Sequence, residues 1–494
     1  MSAYQKLKGI FKQLSDLTYI KHIMIWDDAV IMPEGAGQAR AEAMGTFSSL
    51  MQKQLISKKN KKLIDAAKQE TDLTAWDQAN LVLMEKKYLK SACIPAKLTE
   101  KLTKETFLAS QVWRKYRAEN NWRDFMPYLN RTFKLVKEVA KRQSEVLSMN
   151  PYDAMIDEYG SGFNQASIDP IFAALKKELP ILIDKIQQKQ RQDTITIPKG
   201  PFKIDQQKEL GLKVTELLQF DFKIGRLDVS HHPFCIGAPT DVRITTRYNE
   251  KEFLSSILGI AHETGHGLYE QGFPRDWMDQ PAGRQTNMAV HESQSLLVEK
   301  QVACSKAFYE FLGPHIEKQF GKEDSLSAQN LFKVVTQLKP NYIRVDADEV
   351  TYPLHVILRY EIEKELFNDE ITVKDLPKRW NELMLKYLNL STDKNYTDGV
   401  MQDIHWPWGG FGYFPSYTLG RLMAAQFFEA FIKSHPNFFD ELKQGHFGTL
   451  KKWLSENIYL KASSLTPEKL LQQVTGKPLD IQYFIEHVKQ RYLN

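Results

Sequence analysis

His262-Glu263-Thr264-Gly265-His266 is the segment whose residue types and spacing carry chemistry. Four helical steps turn the chain by about 400°, so two imidazoles four apart lean from one face into the same space. Neutral imidazoles so placed ligate a borderline-soft divalent ion such as zinc. Glu263 points about 100° round from His262, too far to ligate and well placed to meet a water on the ion. This is the H-E-x-x-H pattern. Its bland alternative is two buried core histidines with a surface glutamate between them. A catalytic site also needs a third ligand and an open position. Glu292, in His291-Glu292-Ser293-Gln294-Ser295, lies 26 residues past His266, enough chain to end one helix, turn and bring in another. It would complete a His2Glu set. His291 is the competing ligand, and a solvated Glu292 on a helix surface is the other alternative.

A divalent ion lowers the pKa of water from roughly 16 toward about 7 and polarises a carbonyl. Glu263 is then the general base that takes the proton and the general acid that passes it to a leaving amine. A base beside the ion argues for a hydrolase over a non-catalytic metal-stabilised binding protein.

These residues must be positioned by a mostly helical chain. Leu7 to Tyr19, Arg131 to Leu147, Ile168 to Lys189 and Gln206 to Leu218 repeat apolar residues three and four apart. Residues 220–248 differ. Asp241 to Tyr248 alternates and is β-branched, predicting a small antiparallel sheet of about three strands beside the H-E-x-x-H helix. Asn249 and Glu252 predict a capping box at the start of that helix, and Gly272 its end. Turn-forming residues are sparse, and no repeat or low-complexity tract occurs, which favours one continuous body over 1–494.

The 494 residues are 42% hydrophobic and 26% charged, which excludes a disordered chain, a collagen-like fibre or a disulfide-stapled miniature. A net charge of +5 is too small to argue for nucleic acid or anionic lipid. Cys93, Cys235 and Cys304 form no C-x-x-C pair, no apolar run is long enough to span a membrane, and residues 1–13 do not read as a signal peptide. A cytoplasmic protein is expected. Cys235 reads as a small buried apolar residue rather than a ligand.

Further motifs widen the pattern. His232-Pro233-Phe234, Asp241-Val242-Arg243-Ile244-Thr245, the two metal segments, Ile343-Arg344-Val345-Asp346-Ala347-Asp348 and Gly399-Val400-Met401-Gln402-Asp403-Ile404-His405-Trp406 occur in order, after Trp26-Asp27 and Met32-Pro33. In these the chain resembles the carboxypeptidase Taq family of metallocarboxypeptidases over essentially its whole length. The resemblance implies a mainly α-helical, saddle- or clam-like body with a deep groove, related to neurolysin and angiotensin-converting enzyme. Within it, residues 1–150 form one groove wall, 220–300 the sheet and ligand helices, and 340–415 the substrate-binding and oxyanion-stabilising segments. It also implies a homodimer that removes single amino acids from peptide C-termini with broad specificity, using zinc or cobalt. His262, His266 and Glu292 are then the ligands and Glu263 the base. Leu296 and Lys300 depart from the family, where arginine and asparagine are common.

Release of one residue requires recognition of a terminal carboxylate, which a planar guanidinium fits bidentately. Arg344 is the expected clamp, against a helix-surface pairing with Asp346 or Asp348; Arg243 is its rival. By resemblance His232 contacts substrate. His405 and Tyr413 flank the glycine- and aromatic-rich stretch 406–412, where an imidazole N–H and a phenol O–H could stabilise a developing oxyanion. An oligopeptidase or peptidyl-dipeptidase of the same architecture is the enzymatic alternative.

Overall fold

The computed structural model describes residues 1–494, apart from the Glu34 side chain. Four helices open the chain: α1 (Ala3–Val30), α2 (Gly37–Leu55), α3 (Lys58–Ala67) and α4 (Ala75–Ala92). Side-chain caps start three of them, since Ser2, Ser57 and Thr74 each accept a backbone N–H three residues on. Their apolar faces meet in a separate small core around Leu7, Phe11, Ile64, Leu81 and Met84.

Helices α5 (Ala96–Ala118), α6 (Trp122–Leu147), α7 (Pro151–Tyr159), α8 (Gln165–Gln190) and α9 (Ile204–Leu217) build into the main core instead. The periodic segments expected from sequence fall within α1, α6 and α8, and the fourth within α9 except for its last residue, Leu218. Asn121, Asn150 and Asn164 cap α6, α7 and α8.

The sheet follows as β1 (Gly225–Val229), β2 (Cys235–Ala238) and β3 (Asp241–Thr246) in the order β1-β3-β2. It is mixed, not antiparallel as the sequence predicts. β2 and β3 form the expected hairpin, but β1 runs parallel to β3, with Gly225 opposite Val242 and Val229 opposite Thr246. The connection through His232-Pro233 carries the chain past the position beside β1 to the far edge, and β3 returns between the two. Alternation marks a strand but leaves its partner's direction open.

The H-E-x-x-H helix, α10 (Leu254–Gln271), starts later than the capping box predicts. Asn249 stays in a turn because its carbonyl accepts from Gln207 Nε2 of α9 at 2.9 Å, while its own Oδ1 takes Lys251 N–H. Glu252 still caps, accepting from Ser255 N–H at 3.0 Å. Gly272 ends the helix as expected, its N–H bonded to Leu268. Helix α11 (Met288–Leu296) follows and runs into a π-helical segment, Leu297–Ala303. Every residue of α11 from Ala289 on is buried, as expected for a helix packed on all sides. Among the described residues, no helix is long and apolar enough to cross a membrane.

Candidate metal centre

Two glycines allow the ligand helices to touch. A Cβ on Gly265 of α10 would lie 2.7 Å from Gln294 O and Ser295 Cα of α11. One on Gly420, in the helix Pro415–Ser434, would lie 2.8 Å from Glu292 Cβ. Both α10 and Pro415–Ser434 therefore press their backbones onto α11, and Glu292 is aimed between the two histidines.

His262, His266 and Glu292 each bring one ligand atom to within 4.8 Å of the others. Glu292 lies 3.9 Å from His262 Nε2 and 3.5 Å from His266 Nε2. His266 and Glu292 are buried and His262 half-buried, and two nitrogens with a carboxylate are the donors that suit a borderline-soft divalent ion, so a metal fits. His291 is turned away, with Nε2 3.1 Å from Glu270 and its ring 4.4 Å from that of His266. Glu292 rather than His291 therefore completes the cluster. Glu263 is 6% exposed, and its Oε2 has no hydrogen-bond partner among the described residues. Burial, opposed by His262 and reinforced by Glu292 and Glu299, pushes its carboxyl up to about 7.

Glu299, which sequence reasoning passed over, holds the other nitrogen of His262: Nδ1 lies 2.8 Å from its Oε2. Lys300 sits 2.6 Å from Glu299 Oε1. Burial works against ionisation of Glu299, yet Lys300 and His262 hold its carboxyl down to about 2. The available signal was an acid directly after the apolar run Leu296-Leu297-Val298.

The expected recognition residues fall into two places. Arg344 is 4% exposed and pairs with neither Asp346 nor Asp348. Its Nε and Nη2 donate to Asp403 Oδ1 at 3.1 and 2.9 Å, and Nη1 donates to Tyr352 OH. Asp403 is shared with the buried Arg359. Three of the five guanidinium N–H groups are thus used and two remain. His405 and Tyr413 adjoin this group, with ring centroids 5.2 Å apart and His405 Nε2 3.2 Å from Tyr417 OH. Burial pushes His405 down to about 3, so the imidazole is neutral. Burial raises the phenols of Tyr352, Tyr413 and Tyr417, and the Glu292 charge adds to that rise.

His232 and Arg243 lie elsewhere. His232 is exposed in the loop between β1 and β2, its carbonyl accepting from Ser230 Oγ. Arg243 is spent on Asp241, at 3.0 and 2.8 Å, and lies over the Trp26 ring of α1 at 4.3 Å. Cys235 lines a cavity of about 460 Å³ that also borders Glu270, His291, His22 and Lys87, and burial holds its thiol well above the usual range.

Comparison with known proteins bears on this geometry. Residues 6–492 match the family described as carboxypeptidase Taq (M32) metallopeptidase. The chain is 33% identical over 517 residues to thermostable carboxypeptidase 1 of Thermus thermophilus, covering 99% of this chain and 98% of that protein. It is 33% identical over 489 residues to carboxypeptidase 1 of Bacillus subtilis, covering 98% and 97%. It superposes on Trypanosoma cruzi metallocarboxypeptidase 1 with a TM-score of 0.97 at 37% identity, covering 100% of this chain and 99% of the other.

Proposed function

The chain belongs to the carboxypeptidase Taq (M32) family of metallopeptidases, and on that premise we propose how its residues divide the work of a metal-dependent carboxypeptidase. His262, His266 and Glu292 hold the ion, with zinc or cobalt favoured by the two imidazoles. That ion supplies Lewis acidity toward the scissile carbonyl and acidifies water. Glu263 receives the proton of the attacking water on its free Oε2. It passes that proton to the amine nitrogen as the C–N bond breaks, releasing one amino acid. His405 and Tyr413 donate an N–H and an O–H to the oxyanion. Arg344 pairs its two free N–H groups with the terminal carboxylate. His232 and Arg243 act at the substrate's approach, Arg243 by bracing β3 against α1. The acting molecule is a homodimer in the cytoplasm, a reading that rests on family resemblance for the dimer and on three unpaired cysteines for the reducing compartment.

The observation that carries the reading is the convergence of three ligand atoms within 4.8 Å beside a buried carboxylate oxygen without a partner. Mass spectrometry of a digested peptide tests it. Single-residue ladders from the C-terminus are expected, abolished by chelator and restored by Zn2+ or Co2+. C-terminal amidation should slow hydrolysis about ten- to a hundredfold, the worth of one charge-assisted contact, and Arg344→Ala should narrow that gap. Internal cuts or released dipeptides would favour the oligopeptidase alternative, and equal cleavage of amidated and free peptides would remove Arg344 from its role.

A further inference from the structure

Glu299 bridges two groups of opposite kind. Its Oε2 meets His262 Nδ1 at 2.8 Å, and its Oε1 meets the Lys300 ammonium at 2.6 Å. Both residues belong to the π-helical segment that continues α11, so the same backbone that presents Glu292 to the ion also presents Glu299 to the back of His262. A π-helical turn next to a functional group is a recurrent device for re-aiming side chains.

Three carboxylates, Glu263, Glu292 and Glu299, crowd around the two imidazoles. Among the described residues, Lys300 is the one lysine or arginine within ion-pair distance of any of them. Its side chain is 16% exposed, with Cys304 and Arg421 as charged or titratable neighbours. Arg421 has the same sign, is itself 3% exposed, and stacks on Tyr352 at 4.7 Å without a carboxylate partner. It raises the cost of placing an ammonium there, and Glu299 offsets that cost.

We propose that Lys300 is a positioning residue for the metal centre: by pairing with Glu299 it holds that carboxylate against His262 Nδ1, so that His262 Nε2 faces the ligand cluster. The pairing fixes both the tautomer and the ring angle of one ligand, the role that outer carboxylates play for metal-bound histidines. The inference rests on the metal assignment of His262, His266 and Glu292.

The test is a titration of metal-stripped full-length protein with Zn2+ against a chromophoric chelator, with no peptide present. Lys300→Met is expected to raise the Zn2+ dissociation constant about 10–100-fold. Lys300→Arg, which keeps the charge, should recover most of the affinity. Steady-state assays should show the Met variant's kcat restored at saturating Zn2+ with KM unchanged. If Lys300→Met does not fold, Lys300→Gln, which keeps length and polarity without charge, is measured the same way. A folded Met or Gln variant that binds Zn2+ as tightly as wild type overturns the role of Lys300 alone. A wild type that binds neither Zn2+ nor Co2+ overturns the metal assignment with it.

Discussion

Helices α1 to α4 and the ligand pair α10 and α11 are held in place by different forces. The first group has its own small core around Leu7, Phe11 and Met84, and α2 contributes only Leu55 to it. Several polar links latch it to the body. Tyr19 donates to Asp241 at 2.7 Å, His22 meets the Gly237 carbonyl at 2.8 Å, and Trp26 donates to Asp228 at 3.2 Å. The ligand helices are instead embedded in the main core, with backbone pressed to backbone at Gly265 and Gly420. Partly exposed polar links each contribute about 0.5–1.5 kcal/mol and exchange readily with water. Close-packed helices shift only by opening voids. The N-terminal helices therefore meet the sheet largely through contacts that water can replace, while His262, His266 and Glu292 are held by packing.

The largest effect that tests this contrast lies on the rigid side. Glu263→Gln should lower kcat about 10²–10⁴-fold while leaving bound metal unchanged; an unaltered rate would remove Glu263 as the base. Next comes Leu7→Ala, which truncates the small core and should cost about 2–5 kcal/mol. Hydrogen exchange read by mass spectrometry should place the loss of protection within residues 1–92, leaving α10 and α11 protected. Loss spread evenly over the chain would show that the two regions fold as one unit. Gly265→Ala forces a methyl against Gln294 and should destabilise by about 1–3 kcal/mol, with a drop in metal stoichiometry that Leu7→Ala does not produce. Tyr19→Phe is the mildest, about 0.5–1.5 kcal/mol at the latch, seen as faster exchange in α1 with kcat retained.

Much of the candidate site was legible before any fold was known. His262, Glu263 and His266 share a helix, and their relation follows from residue spacing alone. Glu292 was legible as one of two candidates. Arg344 was legible by type and motif, but not its partner: Asp403 arrives from 59 residues away, whereas the nearby Asp346 and Asp348 stay apart from it. The pairing of Lys300 with Glu299 was equally hidden, because neighbouring residues on an ordinary helix point about 100° apart and a π-helical turn is not announced by composition. The parallel pairing of β1 with β3 was missed for the same reason, since alternation is local and strand direction is not.

Short-range geometry was thus enough to establish a helical chain bearing two imidazoles and a carboxylate on adjacent faces, because 3.6 residues per turn is a property of the backbone itself. Packing alone chose Glu292 over His291, gave Arg344 its carboxylate and left Glu263 Oε2 without a partner. Those choices depend on how closely separate helices approach, and here the approach is set by glycines that carry no side chain to keep α10 and the helix Pro415–Ser434 away from α11.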